Sequence, residues 1–299
     1  MNENPGVSTL ALSLVLVAAL LHAGWNLAAK HSGGDHHFVL MVVVMIAVLW
    51  SPVLWVWGPQ ELPRWQWADW ALVAASGFIH VLYFLALLKG YRLADLTVVY
   101  PVARGSGPLL TAIGAGLWLD EAMGAAALAG LLSMSAGIWL IAGVPGWRAL
   151  APGTPERARL GNGLFWGALT GVTIAAYTLL DGYAMRVALL SPLVYDYLAN
   201  VLRLPWLMPL AWKDRGRALG VWRTQWRPAL IVAVCSPAAY VLVLLAFTMA
   251  PVGHVAPARE VSMLFAAVLG GRLLAERDNG LRLAGAAAMA LGVALLAAS

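Results

Sequence analysis

The chain has 299 residues, of which 62% are apolar and 11% charged, and its mean hydropathy is +0.79. Soluble globular domains are about half apolar and about a quarter charged. The composition therefore excludes a cytosolic enzyme and a disordered protein. A membrane span takes about 20 apolar residues, so about ten spans with short loops fill the chain and leave no room for an appended soluble domain. The net charge of +5 comes from Lys and Arg clusters between apolar runs, which is typical of membrane orientation rather than of nucleic-acid binding.

The first apolar stretch has no Lys or Arg before it, whereas a secretory signal begins with a positively charged region. We therefore expect it to be the first span. Cys235 is the single cysteine, so the sequence offers no internal disulfide and no cysteine-based metal cluster.

Apolar runs separated by charged or Gly- and Pro-rich turns predict ten membrane helices. These spans cover residues 8–29, 37–57, 67–88, 95–118, 122–143, 161–182, 190–211, 229–250, 253–275 and 280–298. The runs lack the alternation of a membrane barrel, so the predicted fold class is an all-α integral membrane protein with ten transmembrane helices. Two longer polar connections are predicted, at 145–160 and 212–227.

An internal repeat appears when the sequence is shifted against itself by 155 residues. Between positions 103 and 142 this gives 14 identities in 40 positions without a gap. The identities include the pairs Arg104 and Arg259, Glu121 and Glu276, Gly130 and Gly285, and Gly137 and Gly292. We predict two five-helix units, 1–145 and 155–299. Because five is an odd number, the second unit enters the membrane from the opposite side and the repeats are inverted.

Positive charge is concentrated in the loops after the odd-numbered spans. These loops hold Lys30, Lys89, Arg92, Arg148, Arg157, Arg159, Lys213, Arg215, Arg217, Arg223, Arg227, Arg277 and Arg282. The opposite loops hold only Arg64 and Arg186. The positive-inside rule then predicts a multi-pass protein of a bacterial-type inner membrane with both termini outside.

A Glu is followed nine residues later by Gly, and seven residues after that by another Gly, once in each half, at 121–137 and 276–292. This pattern, together with HAGWN from His22 and YTLLD from Tyr177, resembles the EamA family of the drug/metabolite transporter superfamily. The resemblance covers nearly the whole chain. It implies ten helices, alternating access and a small-molecule substrate, and in size and aromatic content the chain fits best with the YddG-type aromatic amino acid exporters.

Ionisable groups at bilayer depth cost about 2.5 to 3.5 kcal/mol each, so each is a functional candidate. The candidates are His22, His80, Arg104, Asp181, Asp196, Arg203, Arg259 and Glu260. We expect seven of them to face the bundle interior, with Arg203 the weakest candidate.

Two helical faces combine a ring with a polar or charged group, because His80 and Tyr83 are three residues apart and Tyr100 and Arg104 are four apart. Such faces suit an amino acid, since Arg binds a carboxylate and rings stack on an apolar side chain. We place the substrate site near the midplane between the repeats. The predicted site residues are His22, Trp25, Asn26, His80, Tyr83, Tyr100, Arg104, Tyr177, Asp181, Tyr240, Arg259 and Glu260.

Structural roles compete with these assignments. Arg104 and Arg259 could instead bond carbonyls freed near Pro101 and Pro257, and Glu260 could simply neutralise the neighbouring arginine. Tyr and Trp rings in membrane helices often serve packing or interfacial anchoring. The second loop is predicted to carry an interfacial belt of Trp55, Trp57, Trp65, Trp67 and Trp70.

The motifs at the end of each half favour scaffold roles. Glu121 and Glu276 are expected to complement the dipoles of the helices that follow them. The glycine pairs seven residues apart predict close helix packing. Prolines inside the spans, which provide hinges or curve the helices, are Pro101, Pro108, Pro237 and Pro257.

The resulting hypothesis is a secondary transporter that exports small metabolites, with amino acids, aromatic ones above all, as the expected substrates. An exporter of drugs or cationic compounds, with Glu260 or Asp181 attracting the cation, is the alternative. A membrane enzyme using His22, His80 and Asp181 is the third hypothesis, but the sequence has no catalytic or nucleotide-binding motif. We expect no enzyme activity, no cofactor or metal, no nucleic acid and no ATPase subunit; the expected partners are the lipid bilayer and a small-molecule substrate.

Overall fold

The computed structural model describes residues 8–32, 35–94, 96–141, 153–212, 214–262 and 279–297, and every regular element in these ranges is helical. The helices are α1 (Thr9–Ser32), α2 (His36–Leu49), α3 (Ser51–Glu61), α4 (Trp67–Leu93), α5 (Leu96–Trp118), α6 (Ala125–Ile141), α7 (Pro155–Arg186), α8 (Pro192–Val201), α9 (Leu204–Trp212), α10 (Arg215–Met249), α11 (Val252–Ala258) and α12 (Asn279–Ala297). Short 3₁₀ turns, Leu62–Arg64 and Arg259–Val261, follow α3 and α11.

Four of the described helices are long and apolar enough to cross a membrane, namely α1, α4, α7 and α10. A fifth crossing results if α2 and α3 with its 3₁₀ turn count as one bent span. These helices point to a multi-pass membrane protein. The ten spans and the two-unit organisation stay predictions; residues 263–275 of the ninth span, Glu276 and part of the first polar connection, residues 145–152, lie outside the described residues.

The predicted polar connection at 212–227 is wrong over most of its length. Helix α10 begins at Arg215, where the Asp214 carboxylate accepts a hydrogen bond from the backbone N–H of Arg217 at 3.2 Å. An aspartate in this position caps the free N–H groups of a helix terminus. Charged residues therefore extend the helix beyond its apolar part instead of ending it.

The second predicted span contains a bend of 59° between α2 and α3. Trp50 lies at the break and Pro52 is in the first turn of α3, where proline is well tolerated. Trp50 Nε1 donates to the carbonyl of Ala233 in α10 at 3.0 Å, and the Tyr197 hydroxyl of α8 donates to the carbonyl of Ala47 at 3.0 Å. These side chains tie the bend to helices of the second half.

Helix α7 packs against α4 and α5, and α1 packs against α10, so residues of both halves meet in the centre. Glycines occupy every fourth position on one face of α7, at Gly163, Gly167 and Gly171. A Cβ at Gly167 would lie 2.8 Å from Cβ of Val102 in α5. Small residues at this spacing allow two membrane helices to approach closely, which brings α5 and α7 together beside the central polar groups.

Helices α6 and α12 pack through the glycine pairs that the sequence singled out. A Cβ at Gly130 would lie 2.7 Å from the carbonyl oxygen of Gly292, and one at Gly137 would lie 2.5 Å from that of Gly285. The Ser133 hydroxyl donates to the Ala288 carbonyl across the same interface at 2.8 Å. The predicted close packing is thus confirmed for the described part of both helices.

Glu121 has a different partner from the one expected. Its two carboxylate oxygens accept the backbone N–H groups of Val252 and Gly253 at 2.8 Å each, and Arg186 Nη1 lies 3.0 Å from Oε1. The carboxylate therefore caps the N-terminus of α11 and not that of the helix following it in sequence. Capping by a residue distant in the chain links the two predicted halves at one end of the bundle.

Candidate functional site

A buried ion pair joins α5 to the 3₁₀ turn after α11. Arg104 Nη1 lies 3.1 Å and 3.3 Å from the two carboxylate oxygens of Glu260, and Arg104 Nη2 lies 2.6 Å from Nε2 of His22. Since a guanidinium only donates, His22 accepts through Nε2. The guanidinium of Arg104 is thus directed to side chains and not to carbonyls near Pro101, which contradicts carbonyl bonding as the structural role of this arginine. Glu260 has Arg104 as its nearest partner.

Arg259 provides a second buried guanidinium beside this ion pair. Its Nε lies 3.7 Å from Oε1 of Glu260, and the residue is 3% exposed. Nε and Nη2 of Arg259 have no hydrogen-bond partner among the described residues. Among the described residues, Arg104 and Arg259 share the one carboxylate of Glu260. This group, the positive end of the site, therefore carries one uncompensated positive charge and has donors available to an anionic group.

Negative charge is in excess at a second group of residues, contributed by α7, α8 and α10. Asp181 is fully buried and accepts hydrogen bonds from the hydroxyls of Tyr195, at 2.7 Å, and Tyr240. Asp196 is 3% exposed, and Arg203 is within electrostatic reach of both carboxylates. The described residues contain no ion pair within 4 Å for either aspartate. This end of the cluster therefore has two carboxylates for one arginine.

Aromatic rings lie between the two charged ends. His80 stacks on Tyr177 with ring centroids 3.9 Å apart, and Tyr83 meets the edge of Tyr177 at 5.8 Å. Tyr240 is 6.3 Å from Tyr177 and is within electrostatic reach of both Asp181 and Arg259. The rings from α4, α7 and α10 thus connect the positive end with the negative end.

Three predicted site residues lie at the edge of this arrangement or outside it. Trp25 packs with apolar side chains of α2 and α10 and meets His22 edge-on at 4.7 Å. Asn26 donates its amide to the backbone carbonyl of His22 in its own helix at 2.7 Å. Tyr100 has the Arg104 guanidinium carbon 5.3 Å from its ring centroid. Tyr100 therefore flanks the positive end, whereas the Asn26 amide bonds within its own helix and Trp25 Nε1 has no hydrogen-bond partner among the described residues.

Sequence reasoning left α8 out of the predicted site. Tyr195 was not among the predicted site residues. Arg203 was the weakest candidate among the ionisable residues at bilayer depth, and Asp196 was not assigned a binding role. In the structure, all three contribute to the negative end. Asp196, Asn200 and Arg203 are spaced four and three residues apart, a helical spacing that was present in the sequence and could have identified this polar face.

Asp35, His36 and His37 have potential ligand atoms within 4.8 Å of one another, at the start of α2. Arg217 Nη2 lies 3.0 Å from Oδ2 of Asp35, and Oδ1 caps backbone N–H groups of the helix. Burial by itself raises the pKa of Asp35, but hydrogen bonds from His37 and from the backbone N–H groups of α2 outweigh it and hold this pKa below its ordinary value. A helix N-terminus and an arginine both disfavour a cation, so the group fits a cap and interhelix ion pair better than a metal site.

A cavity of about 730 Å³ lies away from the charged centre. It is lined by residues at the junctions of α7 with α8 and of α10 with α11, including Arg186 and Pro251. The central arginines, aspartates and rings do not line it. In the present conformation the rings of His80, Tyr177 and Tyr240 pack on one another.

Comparisons with known proteins agree with this architecture. Residues 161–298, slightly less than half of the chain, match the EamA-like transporter family. One crystal structure among the similar solved chains has 18% sequence identity, a TM-score of 0.70 and 95% coverage of each chain, which shows likeness of fold alone. No curated protein matches. The second half thus resembles a family of transporters rather than of enzymes, while the aromatic amino acid exporter type stays a prediction.

Proposed function

We propose that the protein is a secondary membrane transporter that exports amino acids, aromatic ones above all, by alternating access to the central site between its two halves. The observation that carries this proposal is the separation of charge across the aromatic rings. The group around Arg259 has one arginine more than it has carboxylates, and the group around Asp181 has one carboxylate more than it has arginines.

A zwitterion complements this distribution of charge. Its carboxylate meets the free donors of Arg259, where a guanidinium forms charge-assisted hydrogen bonds. Its ammonium group meets the excess negative charge near Asp181. The substrate is neutral overall, and the six charged groups of the site sum to zero when Asp196 is ionised. Binding to this state therefore introduces no net charge into the membrane interior, where an unpaired charge is costly.

The rings supply the contact for the apolar part of the substrate. Tyr177, Tyr240 and His80 present faces and edges between the two charged ends. Aromatic pairs contribute about 0.5–1.5 kcal/mol beyond the burial of area, so an aromatic side chain gains more here than an aliphatic one of equal size. This preference supports aromatic amino acids as the first substrates to test.

The match of residues 161–298 to a transporter family supports transport as the activity. The internal repeat supports alternating access, because inverted repeats place a midplane site at their interface. Arg104 and Glu260, one from each predicted half, form an ion pair at this interface. Movement of one half against the other would rearrange the pair and the rings that cover the site.

Counterflow of labelled L-phenylalanine into proteoliposomes loaded with unlabelled L-phenylalanine tests the proposal. Arg259→Gln is expected to weaken apparent affinity roughly 10- to 150-fold, which corresponds to the about 1.5–3 kcal/mol of a hydrogen bond to a charged group. The matched control is Arg223→Gln, which removes an arginine from an exposed position of α10. We expect this variant to keep wild-type counterflow.

Phenethylamine, the decarboxylated analogue, separates an amino acid transporter from an exporter of cations. We expect it to compete poorly with L-phenylalanine in the wild type and to lose this disadvantage in Arg259→Gln. Absence of counterflow for every amino acid in a panel, or preferential competition by the amine and by cationic dyes, would show that the substrate class is wrong.

A further inference from the structure

We propose that Asp196 is a proton-binding site and that its protonation drives export by exchanging one proton for one substrate molecule. The coupling rests on the proposed function, whereas the proton site itself is a property of the protein that can be measured without substrate.

Asp196 lies in the interior without an ionic partner in contact. Its side chain is 3% exposed, and its hydrogen bond from a side chain comes from the amide nitrogen of Asn200 at 3.1 Å. Arg203 is within electrostatic reach, but it forms no ion pair with Asp196 within 4 Å in the described part of the chain. An ionised carboxylate in this environment is stabilised by one amide and by one distant cation that it shares with Asp181.

The groups around Asp196 come from several elements. Asp181 belongs to α7, Arg203 follows α8, and His80 of α4 and Tyr240 of α10 lie beside them. The contacts of α8 with α2 and α3 involve a different face and are made by Val194, Tyr197 and Leu198, with apolar residues and a backbone carbonyl as partners. In the described part of the chain, the charged groups near Asp196 are therefore the carboxylate of Asp181 and the guanidinium of Arg203.

Asp181 and Asp196 are both buried and share the charge of Arg203, and two interacting carboxylates in a low-dielectric site do not ionise independently, which favours a proton on one of them. Asp181 accepts hydrogen bonds from the hydroxyls of Tyr195 and Tyr240, an environment that favours its ionised form. Among the described residues no hydroxyl donates to Asp196, whose side-chain donor is the Asn200 amide. The proton is therefore assigned to Asp196. A metal ion fits less well, because Arg203 repels it and the Asn200 amide nitrogen is the group turned towards the carboxylate.

Proton binding and substrate binding are coupled because the proton and the ammonium group of the substrate compete for the negative charge of Asp196. While Asp196 is ionised, the negative end attracts the ammonium group of the substrate. A proton that binds to Asp196 neutralises this end and favours release of the substrate. Each cycle then moves one proton against one zwitterion, with the proton carried by Asp196 on the return step, so that a proton gradient can drive export.

Infrared spectroscopy of the purified protein tests the proton site without any substrate. We expect the C=O stretching band of a protonated carboxylic acid in the wild type at neutral pH, its loss as the pH is raised, and its absence in Asp196→Asn. Asp214→Asn is the matched control, because Asp214 is an exposed helix cap that asparagine replaces well. A band that persists in Asp196→Asn, or that disappears only in Asp181→Asn, overturns the assignment. Asp196→Glu should restore a shifted band if the asparagine variant folds poorly.

Proteoliposomes with an acidic lumen and a clamped membrane potential test the coupling. A pH difference of about one unit is expected to support up to about tenfold accumulation of labelled L-phenylalanine in the wild type. Asp196→Asn, the neutral mimic of the protonated side chain, should exchange labelled substrate with a weakened apparent affinity that no longer depends on pH, and should lose accumulation, in sodium-free as in sodium-containing buffer. Accumulation that survives in this variant, or that requires sodium, refutes proton coupling. Absence of counterflow in the wild type refutes the proposed substrate instead, and the infrared result still decides the proton site.

Discussion

Replacing Glu260 by Gln removes the charge that the two central arginines share and keeps the size of the side chain. Both oxygens of this fully buried carboxylate face Arg104, at 3.1 Å and 3.3 Å from Nη1, and Oε1 is 3.7 Å from Nε of Arg259. In the variant, two guanidinium groups lie side by side in the interior without a counter-charge. The amide can accept one hydrogen bond but cannot compensate either charge.

Loss of one partner of a buried ion pair typically destabilises a protein by about 3–5 kcal/mol. Such a loss is a large part of the stability of a folded domain, about 5–15 kcal/mol. Glu156→Gln is the matched control, because Glu156 lies exposed in the first turn of α7. Changes at exposed positions usually remain within about 0.5 kcal/mol.

The free energy of unfolding, measured in mixed micelles with increasing dodecyl sulfate, checks this prediction. We expect Glu260→Gln to lose about 3–5 kcal/mol, and the double variant with Arg104→Gln to lose less than the sum of the two single variants because the pair is removed together. An effect of Glu260→Gln no larger than that of Glu156→Gln would refute the conclusion that this carboxylate holds the arginines in the core. Strict additivity in the double variant would contradict the direct ion pair.

Two further predictions concern the scaffold. Gly137→Ala places a methyl group 2.5 Å from a carbonyl oxygen of α12 and is expected to lower the free energy of unfolding by about 1–3 kcal/mol. The control is Gly24→Ala in α1, where a Cβ meets nothing within 4 Å, and this variant should raise the free energy of unfolding by up to about 1 kcal/mol. Equal effects of the two variants would contradict the close packing of α6 with α12. The lowered pKa of Asp35 stabilises the fold above the ordinary carboxyl pKa, and this contribution is lost as the pH falls through the folded-state value, below about pH 4. Between about pH 6 and pH 3, the free energy of unfolding should fall more steeply in the wild type than in Asp35→Asn, which keeps the helix cap. Parallel curves for the two proteins would contradict a stabilising role of the Asp35 charge.

Several features of the site could be predicted from the sequence because they depend on local spacing or on the free energy of burying a polar group. Burial of an ionisable group in a membrane is unfavourable in any fold, so the apolar sequence around Arg104, Asp181 and Glu260 was enough to select them. Spacing of three residues placed His80 and Tyr83 on one face, and both contact Tyr177 in the structure. The glycine spacing likewise predicted the contact of α6 with α12.

Partners that are distant in the chain could not be predicted in this way. The sequence is compatible with Arg104 binding a substrate, a carbonyl or a side chain. Only the packing of α5 against the turn after α11 assigns it to Glu260 and leaves two donors of Arg259 without a partner among the described residues. Glu121 illustrates the same limit, because its carboxylate caps a helix about 130 residues away in the chain. No local pattern encodes such a contact.

The sequence by itself determined the apolar, helical character of the chain, its repeated motifs and the short set of polar groups that the membrane interior has to accommodate. These properties follow from composition and periodicity, which depend on the local sequence and not on contacts between distant residues. Only the tertiary structure decided which charges neutralise one another and which remain uncompensated. That outcome depends on distances of a few ångströms between helices, because electrostatic interactions in a low-dielectric interior fall with separation and are not screened by water.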